Sequence, residues 1–408
     1  MNKSYCPLVF KEIYSSNLGK YNLCCHAVNG HISAKFKTKE ISPFKFFFSK
    51  EMDEIREKML NGETIPLCIK CYGQEEAVGY STRTKLITQI LKKAEAQEPI
   101  VVDPLPTEVD KITLKLRMYG NYCNLSCVMC HPHNSTTKAN ELKDSGLSQL
   151  WPTAIAGFFM PDQTSRTYSQ WQETKKDILD HIHLIDKFHL TGGEPLLLPK
   201  HWELMMEIPD DMAKNISLTY DTNFSSLKYK NHSIYDLVDK FKKVNFNVSC
   251  DHYKDKLSFI RYPIDVESFE NNLVEAKEHI GELSCTVFIL NVADVIEIKN
   301  YYRENFDIKV KTPSTVHSPM MLNVRHLPDD IKNSLIEKYS NLDGSGNFIT
   351  ELYKTGNSAV FQKGLFYLWG MASHRKMDIK KLWPEFFEKD IYFHDNMDFK
   401  SAHQTVLK

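Results

Sequence analysis

The chain has little to offer a membrane. No apolar run in its 408 residues approaches the ~20 that a spanning helix needs, which excludes a helical transmembrane protein. Net charge is nearly absent too: 51 Lys and Arg stand against 52 Asp and Glu, a balance of −1. Without a basic field the chain lacks the electrostatic footprint of a polyanion binder, so nucleic acid ranks last among partners. The opening residues Met1-Asn2-Lys3-Ser4-Tyr5-Cys6 lack the apolar core of a signal peptide, so the expected location is cytoplasmic. There thiols stay reduced, and clustered cysteines mean metal more often than disulfides. No fixed-period repeat or low-complexity tract is visible.

What the chain does have is cysteine in clusters. Cys123, Cys127 and Cys130 lie at spacing C-x3-C-x2-C. A strand-like run, Lys111 to Tyr119, ends just before them. In it Ile112, Leu114, Leu116 and Met118 alternate with Lys111, Thr113, Lys115 and Arg117, the period of a strand. Three closely spaced thiolates can ligate three irons of a [4Fe–4S] cube. Nothing nearby supplies an obvious fourth ligand, so one iron is left open to a second molecule, as in catalytic metal sites generally. The competing readings are a zinc site and three unrelated buried cysteines.

The triple, with Met129 in an apolar slot before its last cysteine, resembles the signature C-x3-C-x-(aromatic or apolar)-C of the radical S-adenosylmethionine (SAM) enzymes. The resemblance implies that the open iron binds the amino and carboxylate groups of SAM. One electron then cleaves SAM to a 5′-deoxyadenosyl radical, which abstracts hydrogen from a substrate. A flavodoxin- or ferredoxin-type donor is the implied electron source.

Downstream motifs agree. Thr191-Gly192-Gly193-Glu194-Pro195 follows an expected strand, about 60 residues after the cysteines, roughly one strand–helix unit further on. Two glycines let backbone approach a ligand. By itself the stretch also reads as a turn and helix start. By resemblance, Gly192, Gly193 and Glu194 hold the SAM amino group. Thr222 and Asn223, at the next strand end, can hydrogen-bond hydroxyls or form an Asx-type turn. The family carries a comparable pair near the SAM ribose or the substrate. Val248-Ser249-Cys250-Asp251 resembles the family's S-x-D, with Ser249 placed to reach SAM. Asp251 is the candidate catalytic residue, for substrate contact or proton transfer. Arg261 resembles an arginine that pairs with the SAM carboxylate, with a surface salt bridge as the alternative. Asn291 is a weaker SAM contact. Cys250 and Cys285 are expected in the core.

The first 98 residues carry Cys6, Cys24, Cys25, Cys68 and Cys71. Phe10 to Tyr14 reads as a strand before the turn Ser15 to Gly19, a hairpin that can bring Cys6 near Cys24. Met52, Ile55, Met59 and Leu60 recur at helical spacing, and Pro66 to Cys71 reads as a loop. Four thiolates suit zinc or an iron–sulfur cluster equally. The pattern resembles the twitch and SPASM auxiliary-cluster modules, whose cysteine follows the turn glycine by five positions as Cys24 follows Gly19. Ser81-Thr82-Arg83 also has a counterpart there. The resemblance implies ligands Cys6, Cys24, Cys68 and Cys71, with Cys25 as substitute for Cys24, and a second [4Fe–4S] cluster. The module usually follows the barrel, whereas here it comes first.

The expected fold class is α/β. Strands at Lys187–Leu190, Ile216–Thr219, Val244–Cys250 and Cys285–Leu290 alternate with helices near 169–184, 200–207, 233–242, 267–279 and 294–304, the pattern of a parallel sheet with helical crossovers. The resemblance, which covers roughly residues 1–325, implies a partial (β/α)6 barrel. The expected division is a small α+β cluster domain at 1–98, with a helix from Thr82 to Gln97, then a proline-stiffened linker at 99–110. The barrel follows at 111–312 and a mainly helical segment at 313–408. His131 to Gly146 reads as loop, Met321 to Val324 as a strand, and Leu327-Pro328-Asp329-Asp330 as a helix start. The aromatics Phe361, Phe366, Tyr367, Trp369, Trp383, Phe386, Phe387, Tyr392 and Phe393 read either as helix-packing core or as a cover over the barrel's open side.

The expected function is a radical SAM enzyme acting on a peptide or protein. A wide opening flanked by added segments suits such a substrate better than an enclosed metabolite pocket. The alternatives are a small-molecule substrate (a sugar, amino-sugar or nucleotide) and a non-catalytic, metal-stabilised binding protein. The intact cysteine triple together with Gly192-Gly193-Glu194 argues against the last.

Overall fold

The alternation read at Ile112 becomes a strand because its apolar side has partners in register. A computed structural model of the chain describes residues 4–16, 19–27, 36–38, 40–96, 105–117, 120–151, 170–342 and 345–387. The chain forms two compact units. One is Met1–Gly120 with Gln163–Tyr220 and His232–Val244; the other is Asn121–Asp162 with Asp221–Asn231 and Asn245–Lys408.

In the first unit five strands pair in the order β5-β4-β3-β1-β2. They are β1 (Glu12–Ser16), β2 (Lys20–Asn22), β3 (Ile112–Lys115), β4 (Ile185–Leu190) and β5 (Ser217–Thr222). Ile13 pairs with Leu114, Leu114 with Phe188 and Phe188 with Leu218. All four are buried. Such a row is worth about 1.5–3 kcal/mol per side chain, and a one-residue slip would turn it outward. The pairings are parallel except for the β1–β2 hairpin. The cysteine-rich segment thus contributes β1, which lies beside β3 of the expected barrel. Part of the expected linker, residues 99–104, lies outside the described residues, as do residues 97 and 98 before it.

In the second unit β6 (Lys243–Ser249), β7 (Ile280–Val287) and β8 (Val310–Thr315) are parallel. Val248, Leu283 and Val310 form their buried row. The architecture is mixed α/β with mostly parallel pairing. The helices Trp171–Asp180, Pro199–Glu207, Ile234–Lys240, Val266–Glu275 and Val295–Phe306 alternate with these strands. No helix among the described residues is long and apolar enough to cross a membrane.

Several local expectations need correction. Residues within His131–Gly146 form the helix Thr136–Asp144, capped by Ser135. Its buried side is Lys138, Ala139, Glu141 and Leu142, and two charged residues there hide the helical period. Met321 to Val324 is not a strand but two 3-10 turns, Met320–Leu322 and Val324–His326. Asn323 joins them, donating to Val316 O at 2.7 Å and accepting from Arg325 N at 2.8 Å. The stretch after Pro66 is a 3-10 turn, Pro66–Cys68, running into the helix Ile69–Val78, so Cys71 is helical. Leu8–Lys11 is a helical turn and the strand begins at Glu12. The strand expected at 285–290 starts earlier and ends at Val287. Asp329 and Asp330 lie in the first turn of Asp329–Tyr339, behind Pro328 at the cap.

The aromatics of the C-terminal segment are core. Phe361, Phe366, Tyr367, Trp383, Phe386 and Phe387 are buried in one cluster, with Trp369 packed against it. Tyr392 and Phe393 lie outside the described residues. This cluster seats the helix Ser358–Arg375, and Arg375 at its end is fully buried. Its guanidinium bonds both carboxylate oxygens of Glu141, at 2.7 and 2.9 Å. Burial pushes the Glu141 carboxyl up, but the Arg375 bonds and charge outweigh it and hold the group below its ordinary value. Removing one partner of such a pair strands a buried charge. Arg375→Met is expected to lower the unfolding free energy by about 3–5 kcal/mol, read from denaturant midpoints. A loss below about 1 kcal/mol would match an exposed pair instead.

Candidate radical SAM site

The cysteine loop is held by its backbone, which leaves its thiols to present themselves. Leu125 and Val128 are buried, and Ser126 N and Val128 N donate to Tyr262 O and Ile260 O at 2.6 and 2.8 Å. Two side chains of the Ser358–Arg375 helix take the loop's carbonyls. Arg375 Nη2 donates to Ser126 O at 2.6 Å and Tyr367 Oη to Val128 O at 2.8 Å. Ser126 Oγ bonds Glu141, and Thr137 Oγ1 donates to Cys123 O at 2.5 Å. Met129, half-buried, packs on the core.

The thiols meet N–H donors. Asn223 Nδ2 reaches Cys123 Sγ at 3.7 Å and Arg261 Nη1 reaches Cys127 Sγ at 3.9 Å. Burial pushes the Cys127 thiol up, and Cys130 to about 12. Metal binding at such thiols releases their protons. All ten cysteines are free, and among the described residues no group of three His, Cys, Asp or Glu side chains stands ready to hold a metal ion.

The donor set nevertheless fits a thiolate cluster. Amide and guanidinium donors are the groups that stabilise sulfur bearing negative charge. Arg261 also keeps a buried Nε without a partner, a donor that a bound anionic group would satisfy.

Asp251 is buried, with one oxygen on the backbone and the other facing Arg261. Oδ1 accepts from Thr286 N at 2.8 Å, and Oδ2 is ion-paired with Arg261 Nη2 at 2.5 Å. Arg261 is thus not in a surface salt bridge. Asn291 Nδ2 donates to Asp251 O and Thr286 O, both at 3.0 Å, which makes it a backbone brace. Asn223 forms the Asx-type turn, accepting from Ser225 N at 2.9 Å, and also bonds Asn124 Oδ1 at 2.9 Å. Thr222 Oγ1 accepts from Phe224 N at 3.0 Å. Ser249 is half-buried at the end of β6. Cys250 and Cys285 are core residues.

In the first unit Gly192 has φ 140°, and a Cβ there would lie 3.4 Å from Gly120 O. Gly193 N also donates to Gly120 O, at 3.4 Å. The left-handed backbone needs glycine. Glu194, buried, caps the turn Pro195–Leu197 through Leu196 N at 3.2 Å.

The same unit gathers the N-terminal cysteines. Cys6, Cys24, Cys68 and Cys71 line one cavity of about 20 Å³ with His26 and Arg83, while Cys25 is exposed and not part of it. Burial raises Cys6, Cys24 and Cys68 to about 12. Arg83 is buried, bonded to Glu75 and to Tyr5 O at 2.8 Å. His26 Nε2 lies 3.2 Å from Thr82 Oγ1.

Spacing did not single out His26, Lys138, Glu141, Tyr367 or Arg375. A Cys-Cys-His run was the available signal for His26. The others face the loop from a polar helix and from the far end of the chain.

Residues 118–303 match the model of the radical SAM superfamily. No curated protein matches the chain. Among solved structures, one of TYW1 with a lysine-pyruvate adduct bound is similar at 16% identity over 54% of this chain and 70% of that one. Its TM-score is 0.29, a likeness too loose to place any residue. The matched span takes in the whole cysteine loop, and over that span the chain is similar to the radical SAM superfamily, whose enzymes cleave SAM at an iron–sulfur cluster.

Proposed function

We propose that Cys123, Cys127 and Cys130 hold a [4Fe–4S] cluster and that the enzyme abstracts hydrogen from a peptide or protein. The observation that carries the cluster assignment is the pinned loop with N–H donors on two of its three thiols. When bound, the cluster supplies the electron that cleaves SAM, and the resulting 5′-deoxyadenosyl radical takes the substrate hydrogen. Gly192, Gly193 and Glu194 bind the SAM amino group, in line with the family pattern and the glycine backbone. Arg261 offers its unpartnered Nε to the SAM carboxylate. By the same family pattern Thr222, Asn223 and Ser249 are SAM contacts. By the family pattern residues 111–312 form a partial (β/α)6 barrel. Cys6, Cys24, Cys68 and Cys71 hold a second cluster in a twitch/SPASM-like domain at 1–98, and a flavodoxin- or ferredoxin-type protein in the cytoplasm supplies electrons.

The engaged oxygens of Asp251 favour a positioning role, holding Arg261, over proton transfer. Asp251→Asn is expected to keep its iron while the KM for SAM rises about tenfold, the loss of one charge-assisted partner. An unchanged KM with substrate modification lost would return Asp251 to the substrate.

The peptide assignment now rests on the resemblance to auxiliary-cluster enzymes, because the C-terminal aromatics are core rather than a cover. Deuterium from a labelled peptide, encoded beside this protein, is expected in 5′-deoxyadenosine. Transfer from a free sugar or nucleotide, with none from any peptide, would place the enzyme among those acting on small molecules.

A further inference from the structure

Three buried cations stand around the cysteine loop, and two of them are matched. Arg261 is paired with Asp251 and Arg375 with Glu141. Lys138 is not matched in this way. Its side chain is fully buried. Its ammonium meets the Met371 thioether at 4.0 Å and the face of the Tyr367 ring at 5.1 Å from the centroid, and neither carries a charge. Glu141, on the same helix, is already taken by Arg375 and Ser126.

The surroundings of Lys138 tie it to the loop. Its backbone N–H donates to Ser135 Oγ at 3.1 Å, and that hydroxyl donates to Leu125 O at 2.7 Å. Tyr367, whose ring it faces, holds Val128 O.

An ammonium buried without a hydrogen-bonded anion is costly. Its burial, and then the Arg375 charge, bring Lys138 down to about 7 against the opposing pull of the Glu141 carboxylate. A methionine or leucine would fill the same space at no electrostatic cost. The Glu141 carboxylate acts on it only by charge and shares that charge with Arg375; the thiolates of a bound cluster would add anionic charge beside it.

We propose that Lys138 is the buried countercharge of the thiolate-bound cluster and sets its reduction potential. The inference rests on the cluster assignment at Cys123, Cys127 and Cys130. Reduction adds negative charge to the cluster, and a nearby fixed cation favours the more negative state, as net charge and hydrogen bonding do for such clusters generally. Lys138 acts through the cluster and touches no substrate.

The test uses the full chain, reconstituted anaerobically, as wild type, Lys138→Met and Lys138→Arg. Iron is counted, and the cluster is titrated by electron paramagnetic resonance without SAM. Lys138→Met is expected to be about tenfold less reduced at the wild-type midpoint, or about 59 mV more negative for one electron, with Lys138→Arg close to wild type. Iron lost in Lys138→Met and restored in Lys138→Arg would support the same countercharge. A fully loaded Lys138→Met with an unmoved potential would overturn the inference. So would iron loss that Lys138→Arg does not repair, since packing rather than charge would then be required. A wild-type chain that takes up no iron would instead overturn the cluster assignment beneath it.

Discussion

Cys127→Ala is expected to leave a folded protein that makes no 5′-deoxyadenosine. Cys127 is the most buried of the three thiols and the one that Arg261 addresses. In the proposed cluster each thiolate holds one iron of the cube, so the loss of one would open a second iron and destabilise the whole group. The backbone of the loop is fixed independently, by Tyr262 O, Ile260 O, Arg375 and Tyr367, so the fold survives the substitution. Cys123→Ala and Cys130→Ala should behave alike. Iron content and 5′-deoxyadenosine, measured anaerobically with SAM and reductant, check this. Substantial cleavage by any of the three variants would contradict the assignment. Glu194→Ala is the contrast: it should keep its iron and bind SAM more weakly.

The second large effect is at the other set of cysteines. Two cubes give about eight irons per chain, and replacing Cys68 and Cys71 together should leave about four. The physical basis is the cavity on which Cys6, Cys24, Cys68 and Cys71 converge. The buried guanidinium of Arg83 beside it offers charge to offset thiolates. A cluster with four protein ligands has no open iron, so its loss should spare uncoupled SAM cleavage while stopping substrate turnover. Cys25→Ala should change neither iron count nor turnover, because Cys25 is exposed away from the cavity. Four irons and one zinc in purified protein would refute the second cluster and keep the site.

Legibility in the sequence followed the range of the interactions. The strand Ile112–Lys115, the cysteine spacing and the glycine pair are local patterns, and their physics is local: alternation, ligand bite and backbone freedom. The helix Thr136–Asp144 was hidden because its buried face carries Lys138 and Glu141, charges that pattern reading assigns to solvent. The partner that makes that face buriable, Arg375, lies 234 residues from Glu141. The turns at Met320–Leu322 and Val324–His326 were mistaken for a strand because an apolar run of four carries no period of its own. There Asn323, bonding Val316 O, decides the conformation. Choosing Cys24 over Cys25 likewise depended on which thiol the fold turns inward.

This chain is expected to make a radical from SAM at the 123–130 loop. Anaerobic incubation of the iron-loaded protein with SAM and dithionite, followed by quantification of 5′-deoxyadenosine and methionine, tests it most directly. Equimolar release of both products, abolished in Cys127→Ala, is the expected result. Iron-loaded protein that leaves SAM intact under reducing conditions would contradict it.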